Sequence, residues 1–71
     1  MKKYCGLTDN PDQRKIEHGN PPDFRVVKTF TTESEALKWQ NELQIMGFTC
    51  GNNESGWRFG YIYIMTLTTN P

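Results

Sequence analysis

Seventy-one residues allow a single domain, 1–71, with a thin core and marginal stability. Eight Lys and Arg balance eight Asp and Glu; a dedicated nucleic-acid binder usually carries a clear basic excess, because neutralising phosphates supplies most non-specific affinity. One histidine and two cysteines exclude a dense disulfide framework and a four-ligand zinc site of ordinary spacing.

Residues 2–8 read as a first strand, with Tyr4, Cys5, Leu7 and Thr8 suited to a pleated surface and Gly6 marking a close approach. Asn10-Pro11 opens a short helix over 11–18, capped by Asn10 and stopped by Gly19. Its only aliphatic side chain is Ile16, so it buries little. Asn20-Pro21-Pro22-Asp23 is a stiff extended loop. Residues 24–30 form the clearest strand; Phe24, Val26, Lys28 and Phe30 share one face, expected to meet the helices. Thr32-Glu33-Ser34-Glu35 is a capping box for a helix reaching about Met46, with Ala36, Trp39, Leu43 and Met46 as its apolar stripe. Residues 48–50 suit a short strand, and 51–56 a polar turn. The last strand, 57–68, places Trp57, Phe59, Tyr61, Tyr63 and Met65 on one face and Gly60, Ile62 and Ile64 on the other. Apolar groups on both faces predict a central strand.

The order β-α-β-α-β-β predicts an α+β two-layer sandwich, a small mixed sheet with both helices on one face. The last strand is expected between the strands at 2–8 and 24–30, antiparallel to both. No run approaches the roughly 20 apolar residues of a membrane span, and no apolar signal segment follows Met1-Lys2-Lys3-Tyr4. The expectation is a cytoplasmic protein with no membrane partner, in which Cys5 and Cys50 read as reduced, packed thiols in preference to a bridge.

The segment from Tyr4 to His18 (YCGLTDNPDQRKIEH) resembles the second half of the signature of the GIY-YIG endonuclease superfamily, a strand Y-[apolar]-G-x-T-x-N leading into a helix x-x-R-x-x-x-H. Tyr4 and Gly6 match the "YIG" element, Arg14 the helix arginine and His18 a histidine of smaller members; residues 24–45 continue the likeness in pattern. Gly60-Tyr61-Ile62-Tyr63-Ile64 resembles a displaced "GIY" strand, which implies a circularly permuted fold. The resemblance implies phosphodiester hydrolysis with one divalent metal, in which Tyr4, Arg14, His18 and Tyr61 stand at catalytic positions. Tyr4, Arg14 and either Tyr61 or Tyr63 would then project into a shared solvent-facing concavity.

The metal-holding glutamate of that pattern falls on Gln40. An amide lacks the charge that holds Mg²⁺ against its water shell, and Glu35 and Glu42 project well away from Gln40 on a helical wheel. No metal ligand is therefore assigned and no cofactor expected; Mg²⁺ belongs only to the alternative of an active endonuclease. The leading reading is a degenerate GIY-YIG-like domain, a non-catalytic nucleic-acid-binding or interaction module that meets DNA or RNA weakly through Arg14, Lys15 and Arg25. A small structural or oligomerising protein is the other alternative. The aromatic row Trp57, Phe59, Tyr61 and Tyr63 suits a base-stacking platform, but a core is favoured.

Overall fold

The computed structural model describes residues 2–51 and 56–69, so the expected polar turn at 51–56 falls mostly outside them. The elements are β1 (Lys3–Thr8), α1 (Pro11–Glu17), β2 (Arg25–Thr29), α2 (Glu33–Ile45), β3 (Thr49–Cys50) and β4 (Phe59–Ile64). Two helices and a four-stranded mixed sheet make this an α+β domain. The strand order is β2-β4-β1-β3. β4 lies between β2 and β1, antiparallel to both, and β3 runs parallel to β1. The two-sided apolar pattern of β4 thus takes the inner position it needs.

The helices start where side chains can serve their orphan N–H groups. Asn10 Oδ1 accepts the Gln13 N–H at 3.2 Å, and Thr32 Oγ1 accepts the Glu35 N–H at 3.2 Å. Glu35 in turn accepts the Thr31 and Thr32 hydroxyls at 2.9 and 3.0 Å. α2 buries Ala36 and Gln40, with Trp39 and Leu43 half-buried; Met46, expected in the apolar stripe, is 72% exposed. The helix has ended by then, and Gly47, with φ of 103°, turns the chain away.

β4 ends at Ile64, short of the expected 68, and begins two residues late, where its approach is clasped by Asp9. Asp9 Oδ1 accepts the Trp57 and Arg58 N–H groups at 3.1 Å each, and Oδ2 meets Arg58 Nη1 at 3.3 Å. The Arg58 and Trp57 N–H bonds, in that order, hold the Asp9 carboxyl below its ordinary range. Trp57 consequently leaves the alternation and packs with the cluster opposite its expected face.

Two small cores lie on opposite sides of the sheet. Cross-strand register puts Tyr4 beside Tyr63 and Gly6 beside Tyr61 on one side, and Leu7 beside Gly60 on the other. The tyrosine side holds Tyr4, Tyr61 and Tyr63 with Phe24 and Met65, and is met by His18 just after α1. The Leu7 side holds Leu7, Phe30 and Ala36 with Trp39, and is covered by α2. The expectation of both helices on one face is therefore corrected. Gly60 forces the issue: a Cβ there would lie 2.8 Å from the Trp39 ring, so α2 seats its indole on bare backbone.

β2 serves both cores through a bulge. Val26 pairs with Tyr61 but Lys28 pairs with Gly60, leaving Val27 as the extra residue. Facing parity flips there, so Phe24 stacks on Tyr61 at 4.7 Å while Phe30 meets Trp39 at 5.6 Å across the sheet. The shared face predicted for Phe24, Val26, Lys28 and Phe30 is thereby split.

Cys5 and Cys50 are also corrected. The β1/β3 register sets them opposite each other with Cα atoms 4.9 Å apart, and they form a disulfide. Among the described residues, no helix is long and apolar enough to cross a membrane.

Candidate functional site

α1 places Arg14 and His18 four residues apart, one above the other on a single face. Gly19 and Asn20, with φ of 84° and 53°, then swing the chain so that His18 drops onto the tyrosine side of the sheet. Gly6 makes room there: the Tyr61 hydroxyl and ring occupy the space a Cβ at Gly6 would need. The glycine of the "YIG" likeness thus serves the packing of a tyrosine from the neighbouring strand.

His18 is the hub of this cluster. Its Nε2 lies 2.7 Å from the Tyr61 hydroxyl and its Nδ1 2.9 Å from the Tyr63 hydroxyl. In the neutral ring one hydroxyl accepts from the N–H and the other donates to the bare nitrogen. The Tyr4 and Tyr63 ring centroids each lie 5.0 Å from the imidazole and 5.0 Å from each other. Tyr4, Tyr61, Tyr63 and His18 are all 2% exposed or less.

Burial raises the pKa of all three phenols, and pushes Tyr61 up to about 12 against the opposing hydrogen bond and charge of Arg14. Arg14 leans on Tyr61 from the half-buried face of α1 and donates from Nη1 to Glu17 Oε1 at 2.9 Å. That hydrogen bond raises the Arg14 pKa and lowers that of Glu17. Arg14 Nε is buried without a hydrogen-bond partner.

The residues singled out in the sequence fare differently. Tyr4, Arg14, His18 and Tyr61 converge, and Tyr63 joins them. They form a closed core, however, where a solvent-facing concavity was expected. Lys15 lies on α1, whereas Arg25 pairs with Ile62 and so belongs to the opposite side of the sheet. The three proposed nucleic-acid contacts do not converge on one patch. Gln40 sits on α2, across the sheet from His18, and its Nε2 donates to the Gly51 carbonyl at 3.1 Å. Gly51 is itself closed against the Tyr4 hydroxyl, so the Gln40 amide meets backbone beside the cluster.

This donor set does not fit the divalent metal that the resemblance implies. A hard ion needs anionic oxygen, but Gln40 turns its NH₂ toward Gly51 and the Glu17 carboxylate is engaged by Arg14. Phe24 and Gly51 were missed as parts of the cluster. A half-buried Phe after a Pro-Pro loop carried a weak signal; the close approach at Gly51 carried none. No protein-family model, curated protein or solved structure matches the chain.

Proposed function

We propose that the chain is a degenerate GIY-YIG-like domain that works as a non-catalytic interaction module, its nuclease-like constellation having become a structural core. One observation carries this reading: both imidazole nitrogens of His18 are engaged by tyrosine hydroxyls inside a cluster sealed from solvent. A nuclease must bring a phosphate and a water to such groups. Here the hydroxyls are satisfied by the protein, and raised phenol pKa values make the tyrosines poorer sources of an oxyanion. Arg14, partly neutralised by Glu17, offers a phosphate less than a free guanidinium would. Nucleic-acid contact on this reading rests on separate cations, is weak and falls steeply with salt.

The test incubates the purified protein with supercoiled plasmid and Mg²⁺ or Mn²⁺, beside Gln40→Glu and Arg14→Ala. No cleavage by any of the three is the expected result, since the Gln40 carbon skeleton points toward Gly51 and not into the tyrosine cluster. Cleavage by the unaltered protein that disappears in Arg14→Ala would overturn the proposal.

A further inference from the structure

α2 covers only part of its side of the sheet. Its Trp39 seats over Gly60, and its buried residues end at Gln40. Farther along β4, Ile62 and Ile64 are only half-buried. They line a groove of about 390 Å³ together with Tyr63, between them in sequence, and with Phe48, Lys3, Arg25 and Asp23. That volume falls within the roughly 300–1,000 Å³ of small-molecule sites.

The charges around this groove are arranged across it. Lys3 pairs with Ile64 from β1, and Arg25 pairs with Ile62 from β2, so one cation stands on each side of β4. Two strand spacings and a two-residue offset separate their Cα atoms by roughly 12 Å, within reach of two long flexible side chains. The ion pairs among the described residues, Arg14–Glu17 and Arg58–Asp9, involve neither of them. Lys3 rests its ammonium 5.6 Å from the Phe48 ring centroid. The groove's carboxylate, Asp23, turns Oδ2 to the Ile64 N–H at 2.7 Å, continuing the β2 ladder past the end of the strand.

An apolar floor between two unpaired cations selects a particular chemistry. We infer that this groove binds a small amphipathic carboxylate, its apolar tail on Ile62, Ile64 and Phe48 and its carboxylate between Lys3 and Arg25. The inference is independent of the reading of the tyrosine cluster, which lies on the other side of the sheet.

The test is a titration of isotopically labelled protein with octanoate, followed by amide shifts, with octan-1-ol and octylamine as tail-matched controls. Octanoate is expected to give saturable shifts at Lys3, Phe48, Ile62 and Ile64. Octan-1-ol should bind at least tenfold more weakly, and octylamine more weakly still. Lys3→Gln and Arg25→Gln replace exposed side chains and leave the spectrum dispersed; each should weaken octanoate about three- to fivefold, as for exposed charge pairs. Equal affinity for octanoate and octan-1-ol overturns the proposal, as do shifts confined to the tyrosine side or no saturation. Concentration-dependent self-association through the same residues also overturns it, because the occupant would then be a second copy of the chain.

Discussion

Replacing His18 by Phe keeps an aromatic ring between Tyr4 and Tyr63 but removes both nitrogens. The Tyr63 hydroxyl, 2.9 Å from Nδ1, would then be stranded in a position 2% exposed. An orphaned buried polar group costs about 1–3 kcal/mol. The Tyr61 hydroxyl loses its 2.7 Å contact but keeps Arg14 beside it, so its loss is nearer the ~1 kcal/mol of an ordinary hydrogen bond. The expected destabilisation is about 2–4 kcal/mol, set against the ~4–11 kcal/mol typical of a chain this long. Urea unfolding followed by circular dichroism measures it. A second substitution sharpens the test. Tyr63→Phe in the His18→Phe background removes the stranded hydroxyl, so the double variant should be more stable than His18→Phe alone. The reasoning fails if His18→Phe unfolds within about 0.5 kcal/mol of the unaltered protein, the scatter of unremarkable surface changes. It fails equally if the double variant recovers nothing.

Three further outcomes are expected. Burial pushes the Tyr61 phenol up to about 12 in the fold, against near 10 when unfolded; the unfolded chain therefore loses its proton first, and stability present below about pH 10 drains away as the pH rises through that window. Urea midpoints measured with tyrosinate absorbance should fall there, and Tyr61→Phe should flatten the fall. Gly6→Ala drives a methyl into the Tyr61 ring and hydroxyl; a loss of about 3 kcal/mol or more, with collapse of the near-ultraviolet signal, is expected, and near-normal stability would contradict the described packing. Reducing the Cys5–Cys50 bridge releases residues 45 apart in sequence, which chain-entropy reasoning values at about 4 kcal/mol; paired urea curves with and without a thiol reductant should separate accordingly.

Much of the framework was legible because it depends on local chemistry. Asn10-Pro11 and Thr32 through Glu35 are starts whose caps form within four residues, and the inner place of β4 followed from apolar groups on both of its faces. What escaped depends on events between elements. Val27 carries no mark of a bulge, because the extra residue is defined by its partner strand and not by its own side chain. The Cys5–Cys50 bridge required knowing that a two-residue strand lies parallel to β1. At the site, Tyr4, Arg14, His18 and Tyr61 were picked out by resemblance to a family motif, whose spacing implies adjacency. Spacing is silent on whether a cluster opens to solvent, and here Gly6, Phe24 and the turn at Gly19 close it.

The Val27 bulge makes β2 more sensitive to an added residue than to a changed one. Val27 is 46% exposed, and most residues with reasonable strand propensity would suit its place. Its backbone, however, is the step that lets Phe24 and Phe30, of like parity, enter different cores. Deletion of that one residue would leave a regular ladder with Val26 and Lys28 on the same partners, so each phenylalanine would keep its own core. Insertion of a residue with no second bulge would instead put both phenylalanines on one side, and one core would lose its ring. Among descendants of this chain, drift at position 27 should therefore show as substitution or loss, and scarcely ever as an added residue.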